Sequence, residues 1–164
     1  MTGFAVDHSD MVATVTISFP KAKNAIKTEG WSTLQTILDG LANDDGVRCV
    51  VITGEGQDFC SGAYVGAGQD RGNDSHGLLA MRRVGQCCTT LFNLPKPTIA
   101  RVNGVAAGAG MNLALACDFV LASDRSRFSE IFARRGLNID FGGSFILPRI
   151  VGMQKAKELV MLAE

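Results

Sequence analysis

Two glycine-rich turns, each placed directly after a short apolar strand, constrain the fold of this sequence more than any other feature. The first turn runs from Gly54 to Ala63 and follows the apolar run Val47 to Thr53. The second runs from Asn103 to Gly110, follows the run Thr98 to Val102 and opens a helix. Glycine lets a backbone bend sharply and approach a ligand closely. We therefore predict two strand ends that expose backbone N–H groups and can converge on one oxygen atom.

The rest of the chain alternates strands with helices. Val15, Ile17 and Phe19 alternate with polar residues and predict a half-buried strand that ends at Pro20. An amphipathic helix with apolar residues at three- and four-residue steps follows Thr28, which we expect to cap it. This alternation is typical of α/β folds, and we expect one domain over residues 1–164. The other predicted elements are a polar, mobile loop at 66–77, a strand at 119–122, and helices at 78–91, from the second turn to about 117, at 146–151 and at 155–162.

Composition argues against several classes of function. The 16 basic and 16 acidic side chains cancel without a long basic run, so we expect no nucleic-acid partner. The five cysteines are odd in number and lack C-x-x-C spacing, which argues against a disulfide framework and a metal site. Neither a signal-like N-terminus nor an apolar run of membrane-spanning length occurs. We expect a cytoplasmic protein that does not enter a membrane.

Spacing also disfavours the common nucleotide sites. The first turn lacks the G-K-[ST] ending of a phosphate-binding loop. Gly104, Gly108 and Gly110 do not form the G-x-G-x-x-G pattern of dinucleotide-binding folds. Either turn taken alone could be turn chemistry without a ligand, so the pair of turns is the informative signal.

The two turns resemble the two oxyanion-hole motifs of the crotonase (enoyl-CoA hydratase/isomerase) superfamily. The matching segments are Phe59-Cys60-Ser61-Gly62-Ala63 and Val102-Asn103-Gly104-Val105-Ala106-Ala107-Gly108-Ala109-Gly110. Further similar segments occur in the same order along nearly the whole chain: Asn24-Ala25, Leu94-Pro95-Lys96-Pro97, Cys117-Asp118, Gly142-Gly143 and Leu147-Pro148-Arg149-Ile150-Val151-Gly152. The resemblance implies an α/β, crotonase-like spiral of ββα turns.

The resemblance also implies an acyl-CoA thioester as substrate, with coenzyme A as part of that substrate and no other cofactor. The N–H groups of Ala63 and Ala109 would donate to the thioester oxygen and stabilise an enolate, the second with help from a helix dipole. The substrate- and CoA-binding residues that it implies are Ala25, Ser61, Gly62, Val65, Gly108, Asn112 and Phe132.

The chain departs from the hydratases of the superfamily at two positions. Asn112 and Phe132 stand where those enzymes carry glutamates, and neither can accept a proton. Glu130 should not replace a carboxylate at 132, since two helical residues differ by about 200° in direction. Asp140 matches the acid of several isomerases of the superfamily, including the 1,2-epoxyphenylacetyl-CoA isomerase type. The resemblance therefore favours double-bond isomerisation with Asp140 as acid and base.

Several alternatives stay open. Asp140 could instead be the nucleophile of an aryl-CoA dehalogenase or hydrolase, or it could merely cap the turn before Gly142. Hydration and a catalytically silent acyl-CoA-binding subunit are further possibilities. The resemblance also implies a C-terminal helical region that builds trimers, and we expect residues 1–164 to lack it. With that region present, a homotrimer or a dimer of trimers is expected.

Overall fold

A mostly parallel sheet of five strands forms the centre of the computed structural model, which describes residues 3–65 and 76–163. The strands in spatial order are β1 (Phe4–Ser9), β2 (Val12–Ile17), β3 (Cys49–Gly54), β4 (Thr98–Val102) and β6 (Phe119–Ala122). Only β1 runs antiparallel to its neighbour β2, and the pairs β2·β3, β3·β4 and β4·β6 are parallel. Because parallel strands end at the same edge of a sheet, the turns after β3 and β4 lie side by side.

A second, smaller sheet begins within the second glycine-rich turn. It consists of β5 (Val105–Ala107) paired in parallel with β7 (Arg127–Ser129). Each of these strands has three residues, which is too short for a period-two pattern to identify from sequence. Both were missed for this reason. β5 interrupts the stretch that we predicted as a turn running directly into a helix.

Five α-helices cover the sheets, and two short 3₁₀ helices complete the described elements. Trp31, Leu34, Leu38 and Leu41 are buried on one face of the first helix, as their spacing predicts. The helices are α1 (Thr28–Ala42), α2 (Gly77–Phe92), α3 (Ala109–Leu115), α4 (Gly143–Val151) and α5 (Met153–Leu162), and the 3₁₀ helices are Pro20–Ala22 and Ile131–Arg135. The α/β class expected from the sequence is confirmed.

Element boundaries differ from the prediction in two places near the N-terminus. Val15 and Ile17 are fully buried as expected, but the strand ends at Ile17, and Phe19 instead packs edge-on against Phe4 with ring centroids 5.8 Å apart. Thr28 is the first residue of α1 rather than its cap, which is Lys27. The loop predicted at 66–77 lies almost wholly outside the described residues.

The described residues bear on disulfide bonds, metal binding and membrane crossing. All five cysteines are free thiols. Within residues 3–65 and 76–163 no group of His, Cys, Asp and Glu side chains could hold a metal ion. In the same ranges none of the helices combines the length and apolar character needed to cross a membrane.

Candidate active site

The two glycine-rich turns pair with each other as short extended segments. The N–H groups of Phe59 and Cys60 both donate to the carbonyl oxygen of Val105, at 3.0 and 2.9 Å. In return, the Ala107 N–H donates to the carbonyl oxygen of Cys60 at 3.0 Å. The two motifs identified in the sequence are therefore one structural unit.

Glycine is required where these segments approach most closely. A Cβ atom on Gly104 would lie 1.8 Å from the carbonyl oxygen of Gln57, and one on Gly110 would lie 2.1 Å from that of Cys60. Both contacts are with backbone, which cannot rotate away. These glycines therefore set the distance between the two turns.

Gly110→Ala is expected to lower the free energy of unfolding by about 1–3 kcal/mol, because its methyl group would force the turns apart. Gly85→Ala is the matched control, since Gly85 also lies in a helix but a Cβ there meets no atom within 4 Å. The control should be neutral or stabilising by about 0.5–1 kcal/mol. Urea unfolding of both variants measures the difference, and equal stabilities would contradict the proposed close packing.

The backbone at Ala63 and Ala109 presents two N–H groups that have no acceptor among the described residues. Ile26 donates to the carbonyl oxygen of Gly62 and accepts from the Tyr64 N–H, both at 2.9 Å, so the intervening Ala63 N–H faces away from Ile26. Ala109 is the first residue of α3, where no intrahelical acceptor is available. Within the described parts of the chain, neither N–H donates a hydrogen bond. A Cβ atom on Gly62 would lie only 3.3 Å from the backbone nitrogen of Ala109, so the two turns lie close together at these residues.

Ala63 and Ala109 line a cavity of about 470 Å³. Asp140 supplies the only carboxylate among the described residues of its wall, and Lys23 and Arg135 supply cationic groups. Nine of the predicted site residues lie on this wall: Ala25, Ser61, Gly62, Ala63, Val65, Gly108, Ala109, Phe132 and Asp140. The structure thus brings together residues that are up to 115 positions apart in sequence.

A larger depression of about 910 Å³ lies between α1 and α2. Its wall includes Asp39 and Arg82 but neither of the glycine-rich turns. It is an open surface groove without the unpartnered N–H groups described above. We therefore place the candidate active site in the smaller cavity.

Two asparagines hold the first turn in place, a role that the sequence analysis did not assign. Asn24 is fully buried, and its Nδ2 donates to the carbonyl oxygens of Glu55 and Asp58 at 3.0 and 2.7 Å. Asn103 Nδ2 donates to the carbonyl oxygens of Gly54 and Gly56 at 3.0 and 2.9 Å. Asparagine after a buried strand was the available sequence signal, because its side chain can satisfy turn carbonyls.

Asp140 is fixed through its backbone while its carboxyl group stays unpartnered. Its carbonyl oxygen accepts from the Gly143 N–H at 2.9 Å and from Asn112 Nδ2 at 3.0 Å. The next residue, Phe141, has φ 45° and packs its ring 5.2 Å from that of Trp31 in the core. Asp140 Oδ1 is buried without a hydrogen-bond partner among the described residues. The side chain therefore does not cap the turn before Gly142, which was the alternative to a catalytic role for Asp140.

The carboxyl group of Asp140 is a weaker acid than an ordinary aspartic acid. Burial raises its pKa from 3.8 to about 7, since removal from water disfavours the charged form. A carboxylate with such a pKa can both accept and return a proton near neutral pH. The site therefore combines one proton-transfer group with two N–H donors.

The two positions that match hydratase glutamates have different environments. Phe132 lies on the cavity wall, in the 3₁₀ helix Ile131–Arg135. Asn112 is fully buried behind the wall and contacts Asp140, so it supports the site rather than lining the cavity. Glu130 is not among the described residues that line the cavity, and the directional argument does not apply to it, because it precedes the 3₁₀ helix with ψ 57°. Its complete burial beside Asn112 was not foreseen.

The parallel sheet, the paired turns and the cavity that they line define an α/β protein, and known proteins share its fold. The enoyl-CoA hydratase/isomerase family model matches residues 7–164. The 1,2-epoxyphenylacetyl-CoA isomerase of Escherichia coli is 36% identical over 99% of this chain and 63% of its own length. The chain therefore belongs to the enoyl-CoA hydratase/isomerase family, and the crotonase resemblance is confirmed.

Relatives with other names are similar to the same degree. The 4-chlorobenzoyl coenzyme A dehalogenase-1 of Arthrobacter is 36% identical over 96% of this chain and 58% of its own length. The crystal structure of an enoyl-CoA hydratase from Polaromonas superimposes with a TM-score of 0.90 at 34% identity, covering 98% of this chain and 63% of that one. The chain thus spans about three fifths of the length of these relatives.

Proposed function

We propose that this chain carries the active site of an enoyl-CoA isomerase, which moves a double bond through an enolate of the acyl-CoA thioester. The observation that supports this proposal most strongly is the unpartnered Asp140 carboxyl group on the wall that also presents the N–H groups of Ala63 and Ala109. Coenzyme A would enter as part of the substrate, and no further cofactor is proposed.

In this mechanism the two N–H groups donate to the thioester oxygen. Removal of a proton from the neighbouring carbon places negative charge on that oxygen, so the donors bind the transition state more tightly than the ground state. Asp140 accepts the proton and returns it to another carbon of the conjugated enolate. One carboxyl group suffices when it reaches both carbons from the same face of the bound substrate.

Hydration is less well supported because it requires water to be activated as well as a carbon to be protonated. Asp140 is the single carboxylate on the described part of the wall, and Asn112 and Phe132 replace the two glutamates expected for hydratases. Dehalogenation remains the second candidate, since a relative named as a dehalogenase is 36% identical. An unpartnered carboxylate could also attack an aromatic carbon.

A panel of thioesters tests the proposal directly. The chain should isomerise a 3-enoyl-CoA to the conjugated 2-enoyl-CoA. The rise in ultraviolet absorbance of the conjugated product measures this reaction. Addition of water to a 2-enoyl-CoA and chloride release from a 4-chlorobenzoyl-CoA should be much slower. Faster chloride release would favour the nucleophilic role of Asp140, and tight binding with no turnover of any thioester would indicate a silent binding subunit.

Activity should depend on pH through Asp140. Its folded-state pKa is raised to about 7, so the carboxylate that accepts the proton predominates above pH 7 and is depleted below it. We expect kcat/KM for the 3-enoyl-CoA to fall about tenfold per pH unit below this value and to level off above it. Rates measured between pH 5 and 9 give the midpoint, and a midpoint near 4 would contradict a buried base.

We also propose that the protein assembles through this part of the chain, into a homotrimer or a dimer of trimers where the C-terminal helical region is present. The helices α4 and α5 expose large apolar side chains, including Phe145, Ile150, Met153 and Met161, which are 50–73% exposed. Apolar surface of this kind is usually covered by other protein. Sedimentation velocity of the 164-residue chain should show self-association, whereas a single monomeric species would contradict this proposal. The cytoplasmic location stays a prediction.

A further inference from the structure

Glu130 is a buried carboxyl group to which the proposed mechanism gives no role. Its side chain is 0% exposed, and it stands between β7 and the 3₁₀ helix Ile131–Arg135. Acidic side chains are almost never buried completely unless they are paired with a cation. Among the described residues Glu130 has no ion pair, and its one hydrogen bond comes from Asn112. This placement requires an explanation.

Asn112 connects Glu130 to Asp140. Its Nδ2 donates to Glu130 Oε2 at 3.4 Å and to the carbonyl oxygen of Asp140 at 3.0 Å. The two hydrogens of one amide group therefore hold the buried carboxyl on one side and the backbone of the proposed base on the other. Asn112 thus links the carboxyl group of Glu130 to the backbone of Asp140.

Three oxygen atoms in this cluster are buried and have no hydrogen-bond partner in residues 3–65 and 76–163: Asn112 Oδ1, Glu130 Oε1 and Asp140 Oδ1. All three are acceptors when both carboxyl groups are charged, and the amide hydrogens of Asn112 are already used, so the fully ionised cluster has no donor left for them. A proton on a carboxyl group turns one acceptor into a donor and removes a buried charge. The geometry thus favours a cluster that retains a proton.

Electrostatics favour the same state. Burial raises the pKa of Glu130 to about 7, the Asn112 hydrogen bond opposes this rise, and the negative charge of Asp140 adds to it. Since Asp140 also has a raised pKa, the two groups titrate in the same range and each disfavours the charge of the other. One negative charge is easier to hold in this cluster than two.

Other ionisable groups around the cluster do not supply a compensating buried charge. Lys23, Tyr64 and Arg135 line the cavity but are exposed. Burial and the charge of Asp140 raise the pKa of the Cys88 thiol on α2 to about 11, which keeps it neutral. The charged residues of the neighbouring β7, α4 and α5 are all exposed: Arg127, Arg149, Lys155, Lys157 and Glu158.

We propose that Glu130 is a positioning residue for Asp140, and that Glu130, Asn112 and Asp140 form one buried unit that holds a single negative charge. While Asp140 is a carboxylate, Glu130 is a neutral carboxylic acid and Asn112 fixes the Asp140 backbone. The single shared charge is a property of the folded chain and does not depend on any activity. The importance of Glu130 for turnover, by contrast, rests on the proposed role of Asp140 as acid and base.

Carboxyl titrations test the charge sharing without any substrate. The intact chain, labelled with ¹³C at the side-chain carboxyl groups of Asp and Glu, is titrated by NMR as wild type, Asp140→Asn and Glu130→Gln. Loss of the Asp140 charge should lower the Glu130 midpoint by about one pH unit, and Glu130→Gln should lower the Asp140 midpoint by a similar amount. Midpoints that stay within 0.2 units of wild type, an interval of about the usual measurement error, would overturn the proposal.

Turnover then tests the positioning role. Glu130→Gln keeps an acceptor for Asn112 and removes the charge. We therefore expect kcat for the 3-enoyl-CoA at pH 8 to stay within about threefold of wild type. The fall in rate on the acid side of the pH–rate profile, its acid limb, should move to lower pH. Glu130→Leu removes the acceptor, and kcat should fall about tenfold or more with KM little changed. A merely structural residue would lower stability without moving the acid limb, which would overturn the positioning role.

The two proposals fail in different ways. If Glu130→Gln does not fold, the Asp140→Asn titration alone decides the charge sharing, because Asp140 lies on the cavity wall and its amide keeps the same shape. Reciprocal midpoint shifts with no isomerase activity would refute the proposed function and support the shared charge. Isomerase activity with independent midpoints would refute the shared charge and support the proposed function.

Discussion

Asp140→Asn is expected to lower isomerase turnover by about 10²–10⁴-fold while thioester binding persists. The amide keeps the size and shape of the carboxyl group but cannot accept a proton. The turn itself should survive, because Asp140 is anchored by its carbonyl oxygen, which accepts from Gly143 and Asn112. The side chain makes no hydrogen bond to the described residues that the substitution would break.

Isothermal titration with a non-reactive CoA thioester and an isomerisation assay together measure this separation. Asp45→Asn is the matched control, since Asp45 is an exposed carboxylate remote from the cavity wall and its loss should leave both quantities unchanged. Turnover of Asp140→Asn close to that of wild type would remove Asp140 from the mechanism. Loss of binding together with turnover would instead indicate that the carboxyl group shapes the site.

The second large effect is expected for Ala109→Pro, which removes one N–H donor. Loss of a single donor of this kind typically costs about 10²–10³ in kcat. Ala109 is the first residue of α3, a position at which proline is tolerated because the N–H has no helical partner. The preceding Gly108 is not α-helical, with φ 54° and ψ −128°, so it avoids the conformation that a following proline disfavours.

Ala109→Ser is the control for this substitution, because it changes the side chain and keeps the N–H. Circular dichroism and thermal unfolding establish that both variants are folded, which matters since Ala109 is only 1% exposed. We expect Ala109→Ser to retain most activity and Ala109→Pro to lose it. A folded proline variant with undiminished turnover would show that the Ala109 N–H does not stabilise the transition state.

The sequence by itself determined the features that depend on local pattern. The apolar runs before Gly54 and Asn103 predicted β3 and β4 closely, and the four-residue strand Phe119–Ala122 was predicted with its observed bounds. Period-two and helical patterns are local because they record which face of an element is buried. The two glycine motifs also identified the family, since few folds need close backbone approach at two strand ends.

The matching of single positions to the family identified Ala63, Ala109 and Asp140 as members of one site, and all three line the same cavity. Sequence could not decide whether Asp140 serves as a cap or as a free acid. Both roles use the same residue type in the same turn. The absence of a partner for its carboxyl group became visible only in the folded chain.

Only the tertiary structure revealed Glu130 and its connection to Asp140. In sequence Glu130 is an ordinary acidic residue among polar neighbours, and nothing local distinguishes it from the exposed Glu158. Its burial arises because β7 pairs with β5 and α3 places Asn112 beside it, which joins segments 18 residues apart. Burial and charge coupling depend on what surrounds a group in three dimensions, so the pKa values and the cavity were decided by packing rather than by pattern.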